Sequence, residues 1–140
     1  MTRGHLHHVE LWVPDLGRAM ASFGWLLEAL GYTTLQVWER GRSWVLGNTY
    51  IVVEQSPALT SDVHERNRPG LNHLALHAGT RTECDRITSQ ALDHGWELLF
   101  PDRHPYAGGS DHYAAYIANS DGFEIELVAD ELPGATATST

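Results

Sequence analysis

The sequence predicts an α+β domain built from two βαβββ modules, which form a curved, cupped mixed sheet with helices on its outer face. Three observations predict it. A strand-to-helix phrase occurs twice, His8-Val9-Glu10-Leu11-Trp12-Val13 and Asn72-His73-Leu74-Ala75-Leu76-His77. Each copy is followed by a helical apolar stripe ended by glycine, at Gly31 and Gly95, and then by short strands. Each closes on an acidic, β-branched phrase, Tyr50-Ile51-Val52-Val53-Glu54 and Phe123-Glu124-Ile125-Glu126-Leu127.

Residues 6–13 alternate, with Val9, Leu11 and Val13 on one face and His8, Glu10 and Trp12 on the other, which is a period-two strand. Pro14 ends it and Asp15 caps a helix over 15–30, whose stripe is Leu16, Ala19, Met20, Phe23, Leu26, Leu27 and Leu30. Strands follow at 33–39, 43–47 and 49–55, turned at Gly41 and Gly47-Asn48. Module one thus covers about 6–55. Residues 56–70, with Pro57, Pro69 and Gly70, form the linker. Module two spans about 71–130: a strand at 71–78, a helix at 81–94, then strands at 96–100, 112–118 and 123–129. The stretch from Pro101 to Asp111 is a candidate mouth loop, and residues 133–140 are expected to be a disordered tail.

Composition narrows the function. The chain of 140 residues is large enough for one core, and a net charge of −9 without a basic patch argues against nucleic acid or an anionic membrane as partner. One cysteine, Cys84, excludes an intrachain disulfide. No apolar run has the length of a membrane span or the form of a signal peptide, so a cytoplasmic protein is expected.

The chemistry sits on the face opposite the helices. Alternation turns His8, Glu10 and Trp12 to that side, and likewise His73 and His77, Glu54, Glu124 and Glu126. Two imidazoles and two carboxylates at equivalent points of a duplicated unit, His8, Glu54, His73 and Glu126, suit a divalent transition metal. An isolated strand histidine is more often an ordinary polar side chain; it is the repetition that singles out these residues. Glu10 and Glu124 read more readily as solvated rim acids or ion-pair partners. Trp12, Trp44 and Tyr116 are candidates to stack on a ligand, with core filling as the plain alternative. His77 and His112 are candidate substrate contacts or supports of the metal ligands, with a hydrogen-bonded histidine at the cavity wall as the plain alternative.

These phrases, together with Leu30-Gly31-Tyr32 and Asp121-Gly122-Phe123, resemble the vicinal oxygen chelate superfamily, which includes glyoxalase I, fosfomycin and bleomycin resistance proteins and extradiol dioxygenases. The resemblance spans about residues 6–130. It implies metal ligation by His8, His73 and Glu126, with Glu54 as a fourth ligand, for a Zn, Ni, Mn, Co or Fe ion. It also implies a homodimer and a small oxygenated substrate, with Glu126 or Glu54 leaving the ion to transfer a proton. Where glyoxalase I-like members carry an arginine for glutathione, this chain has Trp12, so the substrate is expected to be aromatic or apolar. Three activities follow: a lyase or isomerase of the glyoxalase type, sequestration of an aromatic natural product as by bleomycin resistance proteins, and an iron-dependent ring-cleaving dioxygenase.

Overall fold

The computed structural model describes residues 3–130; the expected tail at 133–140 lies outside the described residues. The chain divides into two compact units between His64 and Glu65. Each carries one four-stranded mixed sheet in a βαβββ arrangement.

Unit one contains β1 (His8–Trp12), β2 (Thr33–Trp38), β3 (Gly41–Leu46) and β4 (Thr49–Glu54) in the order β1-β4-β3-β2. β1 pairs parallel with β4 and the other pairs are antiparallel. The alternation holds: Leu11 and Val13 are buried while His8, Glu10 and Trp12 are exposed. Asp15 accepts the Arg18 backbone N–H at 2.8 Å and starts the helical segment. Gly31 (φ +99°) ends it, with Gly31 N–H on the Glu28 carbonyl and Tyr32 N–H on the Leu27 carbonyl, a Schellman closure.

The segment between these caps is not the uniform helix that the apolar stripe predicts. α1 (Leu16–Ala19) and α2 (Trp25–Ala29) flank a π turn over Met20–Gly24. The Ser22 hydroxyl bonds back to the Arg18 carbonyl at 3.2 Å, and a Cβ on Gly24 would stand 3.6 Å from the Trp44 ring. The wider turn accompanies the seating of a full indole beneath the helix. Trp44, Phe23, Leu26 and Val53 are the centre of this core.

Unit two repeats the plan with β5 (Leu74–His77), β6 (Trp96–Leu98), β7 (Ala114–Asn119) and β8 (Glu124–Val128) in the order β5-β8-β7-β6. Its helix α3 (Arg81–Ala91) opens on a full capping box between Thr80 and Glu83 and runs through a 3-10 turn, Leu92–His94, to Gly95 in the left-handed region. Cys84, Ile87 and Ala91 on the helix, with Ala115, Ile117, Ile125 and Leu127 on the strands, are buried. β8 is buried along both faces, because Glu124 and Glu126 are as inaccessible as their apolar neighbours. Buried carboxylates require partners.

A buried carboxylate and its histidines

Glu126 stands in the middle of β8 with its side chain 8% exposed. Three groups of unit two reach it. His73 Nε2 lies 3.1 Å from Oε1, His112 Nε2 makes a short contact to Oε2, and the hydroxyl of Tyr116, its register partner on β7, donates to the carboxylate. Burial, then the nearby Glu126 charge and this bond, push the Tyr116 phenol above its usual range. A side chain on Gly108 would overlap the Tyr116 hydroxyl and press on His112, so the 101–113 loop can approach this cluster only through a glycine.

The His73 tautomer follows from its other nitrogen. Asn72 Nδ2 donates to the Arg66 carbonyl at 3.0 Å, which orients the amide and turns Oδ1 to His73 Nδ1 at 2.6 Å. Nδ1 therefore carries the proton. His73 Nε2 lies 3.1 Å from a carboxylate oxygen of Glu126. Two acceptors at that separation need a cation between them, either a second proton on the ring or a metal ion. The donor set fits a divalent ion on chemical grounds. His112 occupies the other oxygen, so the two histidines flank Glu126 instead of converging with it on one point. Among the described residues, no group of three or more His, Cys, Asp or Glu is arranged to hold an ion.

Arg66 extends the chain of contacts. Its Nε lies 2.9 Å from Glu124 Oε1, and its carbonyl holds Asn72, so Glu124, Arg66, Asn72, His73 and Glu126 are linked in sequence. Glu124 is a buried ion-pair partner, not a rim acid. Arg66, Asn72 and Gly108 escaped the sequence reading because they lie in irregular segments, where no periodicity marks them. The Asn72-His73 dipeptide was the one available signal.

Unit one places its candidates differently. His8 stacks on Tyr50 with parallel rings 4.6 Å apart, and its Nδ1 lies 2.9 Å from His7 Nδ1. Glu54 Oε2 accepts the Trp38 indole N–H at 3.1 Å. The reason is the bare Gly41 between them in register: a Cβ there would collide with the Trp38 ring. Glu54 is also not the counterpart of Glu126. Val9 pairs with Ile51 and Leu74 with Ile125, so superimposing the modules equates Glu126 with Val52 and Glu54 with Val128. The equivalence read from spacing is therefore corrected by two residues, a shift that keeps the face and changes the place along the strand.

Of the candidate substrate contacts, Trp44 changes character. Trp44 has no exposed surface and packs under the helix, so it fills core and faces no ligand. His77 is largely exposed, with Nδ1 3.3 Å from Asp130. His112 touches Glu126 directly. Trp12 is 42% exposed and donates its indole N–H to Glu10 at 2.6 Å.

The sheets, the repeated modules and the His–Glu cluster describe a glyoxalase-type fold. A sequence model of the Glyoxalase/Bleomycin resistance protein/Dioxygenase superfamily matches residues 7–116, and the chain belongs to that family. It is 42% identical over 126 residues to the uncharacterized protein YqjT of Bacillus subtilis (strain 168), covering 89% of this chain and 98% of that one. A crystal structure of a candidate glyoxalase from Bacillus halodurans is 41% identical, with a TM-score of 0.86 over 91% of this chain and 97% of that one. A fosfomycin resistance protein, FosX, from Listeria monocytogenes, solved with Mn(II) and a dihydroxypropylphosphonic acid, shares the fold at 18% identity and a TM-score of 0.62, covering 94% of each chain. Among the described residues, no helix is long and apolar enough to cross a membrane.

Proposed function

We propose that the protein is a metal-dependent enzyme of the glyoxalase type, acting on a small oxygenated substrate of aromatic or apolar character. The observation that carries this is the 3.1 Å contact of His73 Nε2 with the buried Glu126 carboxylate, with His73 Nδ1 already engaged by Asn72. His73 and Glu126 are the ligands that this contact supports; the family resemblance, and not the geometry of either unit, adds His8. Glu54, engaged by Trp38, is left out of the set. A divalent ion, Zn, Ni, Mn, Co or Fe, would supply Lewis acidity toward a carbonyl or oxyanion of the substrate.

The chain's own residues have separable tasks. Asn72 fixes the His73 tautomer, and His112 and the Tyr116 hydroxyl orient Glu126 by holding its carboxylate. Glu126 would be the group to take a proton from substrate, by exchanging its hold on the ion for the proton. The test is elemental analysis of the purified protein. Wild type should hold a divalent ion, and His73→Ala should lose it with an unchanged circular dichroism spectrum. Protein that takes up no ion from Zn, Ni, Mn, Co or Fe solutions would overturn the reading.

With Trp12 exposed and bonded to Glu10, that position offers no countercharge for a glutathione carboxylate. The metal-loaded protein should therefore form no lactoylglutathione from the methylglyoxal–glutathione adduct. A second reading, sequestration of an aromatic natural product without chemistry, is favoured by the exposure of that same indole. Tight binding of such ligands by metal-free protein would support it.

A further inference from the structure

The exposed indole of Trp12 borders a groove in the surface of unit one. It forms one wall of a cleft of about 280 Å³ inside unit one, with Pro14, Leu59, Asp62, Val63 and His64 among the other walls. The floor is the 56–63 loop, held by its own bonds: Ala58 N–H to the Ser56 hydroxyl at 3.0 Å, Leu59 N–H to the Ser56 carbonyl at 3.2 Å, and Val63 N–H to the Ser61 hydroxyl at 3.1 Å. Among the described residues that line the cleft there is no lysine or arginine, and the carboxylate is Asp62.

Three features of this cleft have one chemical reading. The Trp12 indole N–H donates to Glu10 at 2.6 Å, which orients the ring, and the face of an indole attracts cations. Leu59, Val63 and Pro14 supply apolar surface that an inorganic cation would not use. Asp62, an exposed residue, supplies a negative charge beside that surface. An aromatic face, an apolar lining and a carboxylate together are the recognition elements for an alkylammonium group.

We propose that this cleft is a binding site for a small organic cation, a quaternary or substituted ammonium, seated over the Trp12 face with Asp62 as its counter-charge. The site goes beyond the metal-dependent reading and requires no ion, since every group in it belongs to unit one. Its volume accommodates a ligand the size of choline.

The experiment is calorimetric titration of the purified full chain with choline and with 3,3-dimethyl-1-butanol, which has the same shape and hydroxyl but no charge. Choline should bind roughly five- to tenfold more tightly than the neutral isostere, the scale of a solvent-exposed cation–π contact plus a nearby carboxylate. Trp12→Ala should weaken choline about fivefold or more, and Asp62→Asn should remove most of the preference for the charged ligand. The titrations are repeated after chelator treatment and on His73→Ala, where choline binding should be unchanged. That arm separates failure of the cleft from failure of the metal site. Equal affinity for both ligands, no choline binding, indifference to Trp12→Ala, or choline binding lost with the metal would each overturn the assignment.

Discussion

Arg66→Ala tests the chain of contacts that leads from Glu124 to Glu126. The Arg66–Glu124 contact is 2.9 Å, with the carboxylate side chain 6% exposed and the guanidinium side chain 27% exposed. Removing one member of a fully buried pair costs about 3–5 kcal/mol, because the other is left charged in a poor solvent. Water reaches the vacated side here, since Arg66 is more than a quarter exposed, so the cost should fall to about 2 kcal/mol. For a chain of this length that is roughly 6–8 °C in Tm. Glu124→Gln in the Arg66→Ala background removes the stranded charge and should restore about 1 kcal/mol or more. Urea denaturation of wild type, both single variants and the double variant completes the cycle. The double variant should recover stability while divalent-ion affinity stays reduced, because the segment carrying Asn72 and His73 is no longer pinned. A Tm change under about 2 °C for Arg66→Ala, or a double variant no more stable than Arg66→Ala, would refute the reasoning.

Gly108→Ala should cost about 1–3 kcal/mol by overpacking against Tyr116 and His112, and should weaken ion binding, as read by urea denaturation and metal titration. Tyr113 donates to Asp85 at 2.7 Å, which is the main reason its phenol is pushed up to about 12 from 10.0. Its folded value is the higher one, so the stability it contributes is complete below pH 10.0 and disappears as pH rises toward 12. Ultraviolet titration should show a tyrosine ionising in that window, absent in Tyr113→Phe. The family resemblance implies a homodimer, and Leu35, Val37 and Leu46 leave apolar surface exposed on β2 and β3. Light scattering at micromolar concentration should give twice the chain mass, and a monomer would count against it.

Periodicity carried most of the architecture. Period-two alternation in 8–13 and the helical stripe in 16–30 are local patterns, and the strands and caps appear where those patterns begin and end. Alternation also named the face of His8, Glu126 and Trp12, because it depends only on the pleat. Position along a strand is another matter. Glu54 lies on the expected face, yet its register sets it opposite Gly41 and Trp12, where Trp38 can reach across and claim it. Pairing between strands far apart in sequence decides this, and single-strand spacing carries no record of it.

The same limit explains Trp44, whose hydrophobic bulk is equally consistent with core and with a ligand wall until the fold buries it completely against the helix. It explains Arg66 and Asn72 as well. Their value lies in one backbone carbonyl, one amide orientation and one ion pair, which only the folded loop creates. By itself the sequence determined the repeat, the sheet faces and the residue types fit for a metal. The tertiary structure decided which of them meet, because a hydrogen bond forms or fails over a fraction of an ångström that no local pattern encodes.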